Sequence, residues 1–560
     1  MNQTRAFLLF AWLLVASLLW MEWTREKAAP PQPTPTTTTT AAAANPAAGI
    51  PTPASTGAVP TAPTANASAT PATPSAVTVH TNVLDATLDG GQILQADLPG
   101  YPDLDDPTRP VRLFSTDPAH YFAAQSGWVA AGAPAPTHLA GFVPAGPARA
   151  YSLAPGATTL DVPFVWQGAN GVTIRRTYTF SRNDYAVRVR DEVVNAGTAP
   201  WQGSVYRLLT RTMPPQPKGG FTSGRVFAFQ GAAWYSPQDK YEKRPFDKFA
   251  DDAALSKTVK GGWIAFLQHH FFTAWIPQAA DGAKFDTLTV NGTGGTNYVI
   301  REVGPTFNVA PGQRASTEAR LWVGPKSVEG IDAQKVPGLE RAVDFSSYTT
   351  MATLAGWLYA VLAWLHGFIG NWGWSIIGLV VLIKLALIPL ANAQYRSMAK
   401  MRRLQPKLQQ LKERHGEDRQ QFQMAMMELY RKEKVNPAGG CLPIFVQMPI
   451  FLALYWMLSE SVELRHAPWI LWIHDLTARD PYFVLPIINA AVMFVTQKLT
   501  PTAGMDPAQA KMMQFMPLAF GIMFAFFPSG LVLYWVTNGL LTLAQQWYFL
   551  RKYGEPAKKN

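Results

Sequence analysis

The chain has 560 residues, 48% of them hydrophobic and 12% aromatic, with a formal net charge of +11. That length admits several domains without fixing their number. Its apolar residues gather in a few uninterrupted runs near the N-terminus and in the last third, the pattern of an integral membrane protein. The sole cysteine, Cys441, lies far from the middle of the chain, so disulfides cannot hold a domain there. Walker-type phosphate loops, HExxH and GxSxG are all missing, which leaves nucleotide-driven, zinc-peptidase and serine-hydrolase chemistry without a motif.

The first apolar run, Ala6 to Met21, follows Arg5 and reads as either a membrane anchor or a signal peptide. Its length, and Glu22-Trp23 where small residues would mark a cleavage site, favour an uncleaved anchor over residues 1–27. Residues 28–76 are almost wholly Pro, Thr, Ala and Ser. They carry too little bulky apolar surface to offset ordering entropy and read as a tether.

Residues 77–340 change to short alternating runs. VTIRRTYTF (Val172 to Phe180), the polar turn Ser181 to Asp184, and YAVRVRDEVV (Tyr185 to Val194) predict a β-hairpin with period-two alternation. DTLTV before an Asn-Gly-Thr-Gly-Gly turn, and ARLWVG, extend the pattern to a large antiparallel β-sandwich. His269-His270 is the one histidine pair; on a strand its rings would point to opposite faces, so it makes no chelate and a structural role is expected.

Residues 341–370 carry aromatics at Trp357, Tyr359, Trp364 and Phe368, with a Gly370-Asn371 break. This predicts a helix lying at the membrane interface, with a spanning helix as the alternative. Five stronger spans follow in residues 371–550: Trp372 to Leu390, Leu442 to Leu458, Phe483 to Val495, Met512 to Phe527 and Leu531 to Leu550. With the anchor they make six crossings.

Lysines and arginines set the orientation. The segment from Arg396 to Lys434 is the densest basic stretch and belongs in the cytoplasm. The loop from Glu460 to Tyr482 is mostly acidic and faces out, and the basic tail, residues 551–560, falls inside. The β-domain then lies outside, in the periplasm of a bacterium with two membranes. Within residues 393–436, Met398, Met401, Leu404, Leu408 and Leu411 make a helical stripe, His415-Gly416-Glu417 breaks it, and Phe422, Met426 and Leu429 resume it. A projecting two-helix hairpin is expected. Its methionines serve either as the seam or as an adaptable surface for apolar clients.

QYRSMAKMRRLQPKLQ from Gln394, KVNPAGGCLPIFVQMPIFLALYWML from Lys434, SVELRHAPWILWIHDL from Ser461 and FPSGLVLYWVTN from Phe527 stand in one order. Together they resemble the membrane core of the YidC insertase family, and the N-terminal anchor, tether and β-domain resemble the architecture of its Gram-negative members, whose periplasmic domain is a β-supersandwich. The resemblance implies a polytopic α-helical protein of the inner membrane with a five-helix core. Those helices enclose a hydrophilic groove open to the cytoplasm and to lipid. It implies no catalysis and no cofactor or metal. The implied partners are nascent membrane proteins, the Sec translocon with its accessory subunits, and the ribosome.

In the family a positive residue, usually arginine, sits in that groove, and Lys384 in GLVVLIKLALIPL aligns with it. Charge is kept; the bidentate guanidinium fork is not. The five spans as drawn contain no Asp or Glu, so Lys384 is solvated, snorkels, or meets a charge brought by a client. Ten residues at 1.5 Å put it about 15 Å from Gln394, beyond one lysine's reach. Gln447, Asn489, Thr537 and Asn538 are candidates to line the groove or to hydrogen-bond between helices. Tyr534 and Trp535 join them by family position. On the hairpin, Met398, Met401, Arg402, Arg403, Met426 and Met427 are the candidate client and ribosome contacts. The rival readings are a secondary transporter or channel, for which no repeat or paired ionisable residues are evident, and a sugar-processing enzyme, for which no acid/base pair is.

Overall fold

A computed structural model describes residues 76–104, 106–139, 141–215, 228–249, 255–292, 295–346, 348–415, 418–433, 442–499 and 507–553. The expected N-terminal anchor, the tether, Asn436-Pro437, Cys441 and most of the basic tail lie outside the described residues.

The middle of the chain forms two large sheets, of ten and nine strands. Their pairings are antiparallel except where Val77–His80 meets Ala150–Ser152. The expected hairpin is there, as strands Val172–Ser181 and Ala186–Asn195 in register from Val172↔Asn195 to Thr179↔Arg188. Asn183 takes φ 59° in its turn, a left-handed conformation that asparagine tolerates. Alternation buries Val172, Ile174, Tyr178 and Phe180 between the sheets.

Arg176 shares that inward face and is fully buried. Asp191 stands directly opposite on the partner strand. Its carboxylate accepts from Arg176 Nε at 2.7 Å and Nη2 at 2.6 Å, and from Trp128 Nε1 at 2.7 Å. Arg176 Nη1 donates to the carbonyls of Gly90 and Ser126. The buried charges thus satisfy each other, the condition under which an interior ion pair is tolerated.

His269 and His270 depart from the strand geometry expected of them. They form the turn between strands Trp263–Leu267 and Phe271–Pro277, and their rings stack at 3.8 Å instead of facing opposite ways. A turn lacks the alternation of a strand, so both imidazoles reach one acceptor, the Ser459 carbonyl, at 2.9 and 3.3 Å.

The helices follow the sheets: α1 Val328–Ala333, α2 Thr349–Ile369, α3 Trp372–Ala386, α4 Ile388–Arg403, α5 Gln405–His415, α6 Arg419–Lys432, α7 Leu442–Glu460, α8 Val484–Leu499, α9 Pro507–Phe524 and α10 Ser529–Tyr553. Gly370 at φ 71° ends α2, and the Asn371 side chain accepts from Trp374 N to start α3. These are ordinary stop and start devices, and they turn the chain sharply. Helix α2 buries Ala355, Leu358 and Leu362 and leaves Trp357, Trp364 and Phe368 exposed. By length and composition α2 can cross a membrane, and the described residues hold a second such span if α3 and α4 are one.

The span expected from Trp372 to Leu390 is not one straight helix. Helices α3 and α4 meet at a 61° bend around Leu387. Pro389 supplies the cause: it has no N–H to donate, and its ring collides with the carbonyl four residues back.

One apolar cluster runs from Trp263, Phe272 and Trp322 of the nine-stranded sheet into Leu358, Ile376, Met457 and Leu531 of the helices, so sheet and helices share a core. Polar ties reinforce it. Lys326 and Glu460, both buried, pair at 3.4 Å, and Arg465 and His466 both contact the Pro102 carbonyl. The loop after α7 therefore packs against the β-domain.

Candidate functional site

Lys384 occupies the last turn of α3, three residues before the bend. Its half-buried Nζ donates to Thr542 Oγ1 of α10 at 2.8 Å, and that hydroxyl donates to the Asn538 carbonyl at 2.6 Å. Gln447 Nε2 of α7 lies 3.4 Å from Asn538 Oδ1, and Tyr395 OH of α4 lies 3.4 Å from the Thr542 carbonyl. Four helices thus contribute to one polar strip. Asn538 and Thr542 can both join it because residues four apart share a helix face.

Every described partner of Lys384 is neutral. An ammonium carries three donors, and Thr542 uses one of them. The site can therefore hold an incoming carboxylate without first breaking an ion pair. The bend also revises the depth argument. Seven of the ten residues between Lys384 and Gln394 lie beyond the bend, so the axial separation is about 10 Å and not 15 Å. The lysine stands nearer the hairpin than a straight helix would put it.

Of the residues expected in the groove, Lys384, Gln447 and Asn538 are brought together. Tyr534 and Trp535 lie beside the strip in an aromatic wall: the Trp535 ring centre is 4.1 to 5.6 Å from those of Phe524, Phe451 and Phe527, tilted against the first two and edge-on to the third. Thr537 is buried next to the network, and Asn489 is buried on α8 with Met493 Sδ as its neighbour. Thr542 and Tyr395 were not anticipated. The four-residue spacing from Asn538 and the tyrosine of the QYRSMAK motif were the available signals.

On the hairpin, Asp418 caps α6 through the amides of Gln420 and Gln421. Met401 and Met426 pack, partly buried, against Leu404 and Leu408 in the seam. Met427 and Arg403 are exposed, and so is Met424, which the stripe pattern passed over. The side chains of Met398 and Arg402 lie outside the described residues.

Two family models match the chain from residue 76 onward. Residues 76–359 match the YidC periplasmic domain and residues 364–556 match the 60Kd inner membrane protein. A protein of Stenotrophomonas maltophilia (strain R551-3) named "Membrane protein insertase YidC" is 56% identical over 99% of this chain and 97% of its own. One of the same name from Xanthomonas campestris pv. campestris (strain ATCC 33913) is 54% identical over 100% and 99%. Whole-length similarity at this level covers sheets, helices and the polar strip alike, and the chain belongs to the YidC family of bacterial inner-membrane protein insertases.

Proposed function

We propose that this insertase lowers the barrier to membrane insertion by drawing a client's polar tail into the strip around Lys384 while the client's apolar helix slides along the aromatic wall of Trp535, Phe451 and Phe527. The observation that carries the reading is a cation met only by neutral partners, on the polar strip that four helices share. An acidic tail supplies the missing charge, and the membrane potential adds roughly 2.3 kcal/mol per charge per 100 mV to its outward movement. Burial of the client helix in lipid drives the rest.

In this reading α2 lies along the outer interface with Trp357, Trp364 and Phe368 in the headgroups. The other apolar helices cross the membrane, the hairpin of α5 and α6 projects into the cytoplasm, and the β-domain is periplasmic. Met424 and Met427 greet the client, the basic segment faces the ribosome or anionic lipid, and the Sec translocon engages the outer face.

The test is insertion of a single-span client with an acidic external tail into proteoliposomes that contain the intact protein, Lys384→Ala or Lys384→Arg. The expected result is loss with alanine and retention with arginine. Equal insertion by all three removes Lys384 as the tail receptor.

A further inference from the structure

The polar strip does not end at Thr542. On α10, Asn538, Thr542 and Gln546 follow at intervals of four and share a helix face, which Phe549 continues. Four residues rise about 6 Å, so Gln546 stands one turn beyond the Lys384 contact. It is only 3% exposed, and its side-chain Oε1 is buried with no hydrogen-bond partner among the described residues. An acceptor buried unpaired is costly, and native proteins leave few of them.

Tyr395 of α4 lies across the same turn. Its hydroxyl is 3.4 Å from the Thr542 carbonyl, and its ring stacks on Phe549 with centres 5.0 Å and planes 21° apart. Within an α-helix the Thr542 carbonyl is also the one that the Gln546 amide bonds, so the tyrosine hydroxyl rests at the Gln546 backbone. Thr542 and Phe549 bracket Gln546, and Tyr395 spans them on the side of the strip that leads to the hairpin. Neither hold is strong: 3.4 Å is long for an O–H···O bond, and ring stacking adds little beyond buried area. The ring is half-buried, and one rotamer change swings it aside.

We propose that Gln546 is a second receptor for the client tail and that Tyr395 is the gate over it, an inference that rests on the reading of the strip as the path of that tail. With Tyr395 swung aside, Gln546 Oε1 accepts from a main-chain N–H of the tail, one helical turn from the Lys384 ammonium. The two receptors divide the work. Lys384 favours acidic tails, whereas every polypeptide carries the N–H that Gln546 takes, so Gln546 serves acidic and uncharged tails alike.

The experiment uses the full chain in proteoliposomes and two single-span clients that differ only in glutamate or glutamine along the external tail. Gln546→Met should slow both clients several-fold and by the same factor, whereas Lys384→Ala should slow the acidic one alone. The gate is read without a client. In a Cys441→Ser background, Gln546→Cys should react slowly with a charged maleimide, and Tyr395→Ala should speed that reaction about tenfold. Tyr395→Phe, which keeps the ring and loses the hydroxyl, should fall between. Thermal unfolding of each variant in detergent separates an opened gate from a loosened fold. Full-rate insertion by Gln546→Met, slowing of the acidic client alone, or labelling indifferent to Tyr395 overturns the proposal. Equal slowing of both clients by Lys384→Ala, with the Gln546 and Tyr395 results as expected, overturns only the role of Lys384.

Discussion

Lys384 and Thr542 stand 158 positions apart in the chain and meet side chain to side chain at 2.8 Å, across the junction of α3 with α10. The hydroxyl accepts a hydrogen bond from the ammonium and donates one to the Asn538 carbonyl, so it fixes the lysine's position without neutralising it. Thr542→Val keeps the shape and removes the acceptor. Insertion of an acidic-tailed client should fall several-fold, in line with a loss of about 1–2 kcal/mol. Thr542→Ser should retain activity, and insertion rates in proteoliposomes decide between them.

The buried pair in the β-domain should be indispensable to its folding. Asp191→Ala strands the Arg176 guanidinium in the core and removes the acceptor of Trp128. A loss of about 3–5 kcal/mol is expected from breaking one side of such a pair. Urea unfolding followed by tryptophan fluorescence measures it.

The stacked histidines should make docking of sheet on helices sensitive to acid. Burial holds His269 down at about 4 and His270 well below the ordinary 6.5. The separated state therefore binds protons that the docked state refuses, and docking weakens as pH falls from about 6.5 towards 4, by up to about 1.4 kcal/mol per pH unit for each ring. Above that window the two rings themselves add no pH dependence. Lys326 and Arg465 beside the rings oppose a further positive charge, while Glu460 pairs with Lys326 and Glu463 accepts from the Val328 amide. Exchange of the amides around Ser459, corrected for intrinsic rate, should rise in acid, and His269→Gln with His270→Gln should flatten the dependence.

Two glycines should respond in opposite senses. A Cβ on Gly373 would come within 2.3 Å of the Trp469 ring, so Gly373→Ala must push the indole away, at about 1–3 kcal/mol. Gly367 in α2 has open space around its missing Cβ, and Gly367→Ala should stabilise by up to about 1 kcal/mol through helix propensity. Thermal unfolding in detergent should shift down for the first and up for the second.

Period-two alternation made the hairpin at Val172 legible because its inward residues are mostly apolar. The same rule reads Arg176 as a break in the pattern, since a buried charge is recognisable only once its cross-strand partner is known. Lys384 was legible as a charge in an aliphatic run. Its partner Thr542 was not, because threonine is common in helices and its importance comes from a packing between distant segments. The bend at Leu387 was written in Pro389, yet proline's effect had to be weighed against a run of residues that favours helix throughout. The histidines were misread for a local reason: a two-residue shift from strand to turn changes which way neighbouring rings face.

The tie between Lys326 and Glu460 has a mechanical side. Lys326 follows directly on strand Arg314–Pro325, a long inner member of the nine-stranded sheet, and Glu460 is the last residue of α7. Around them the apolar cluster continues unbroken from sheet to helices. A tilt of α7 is therefore a rotation of the whole β-domain, which moves through water as a broad lever. Whatever holds the β-domain still therefore holds α7 still as well.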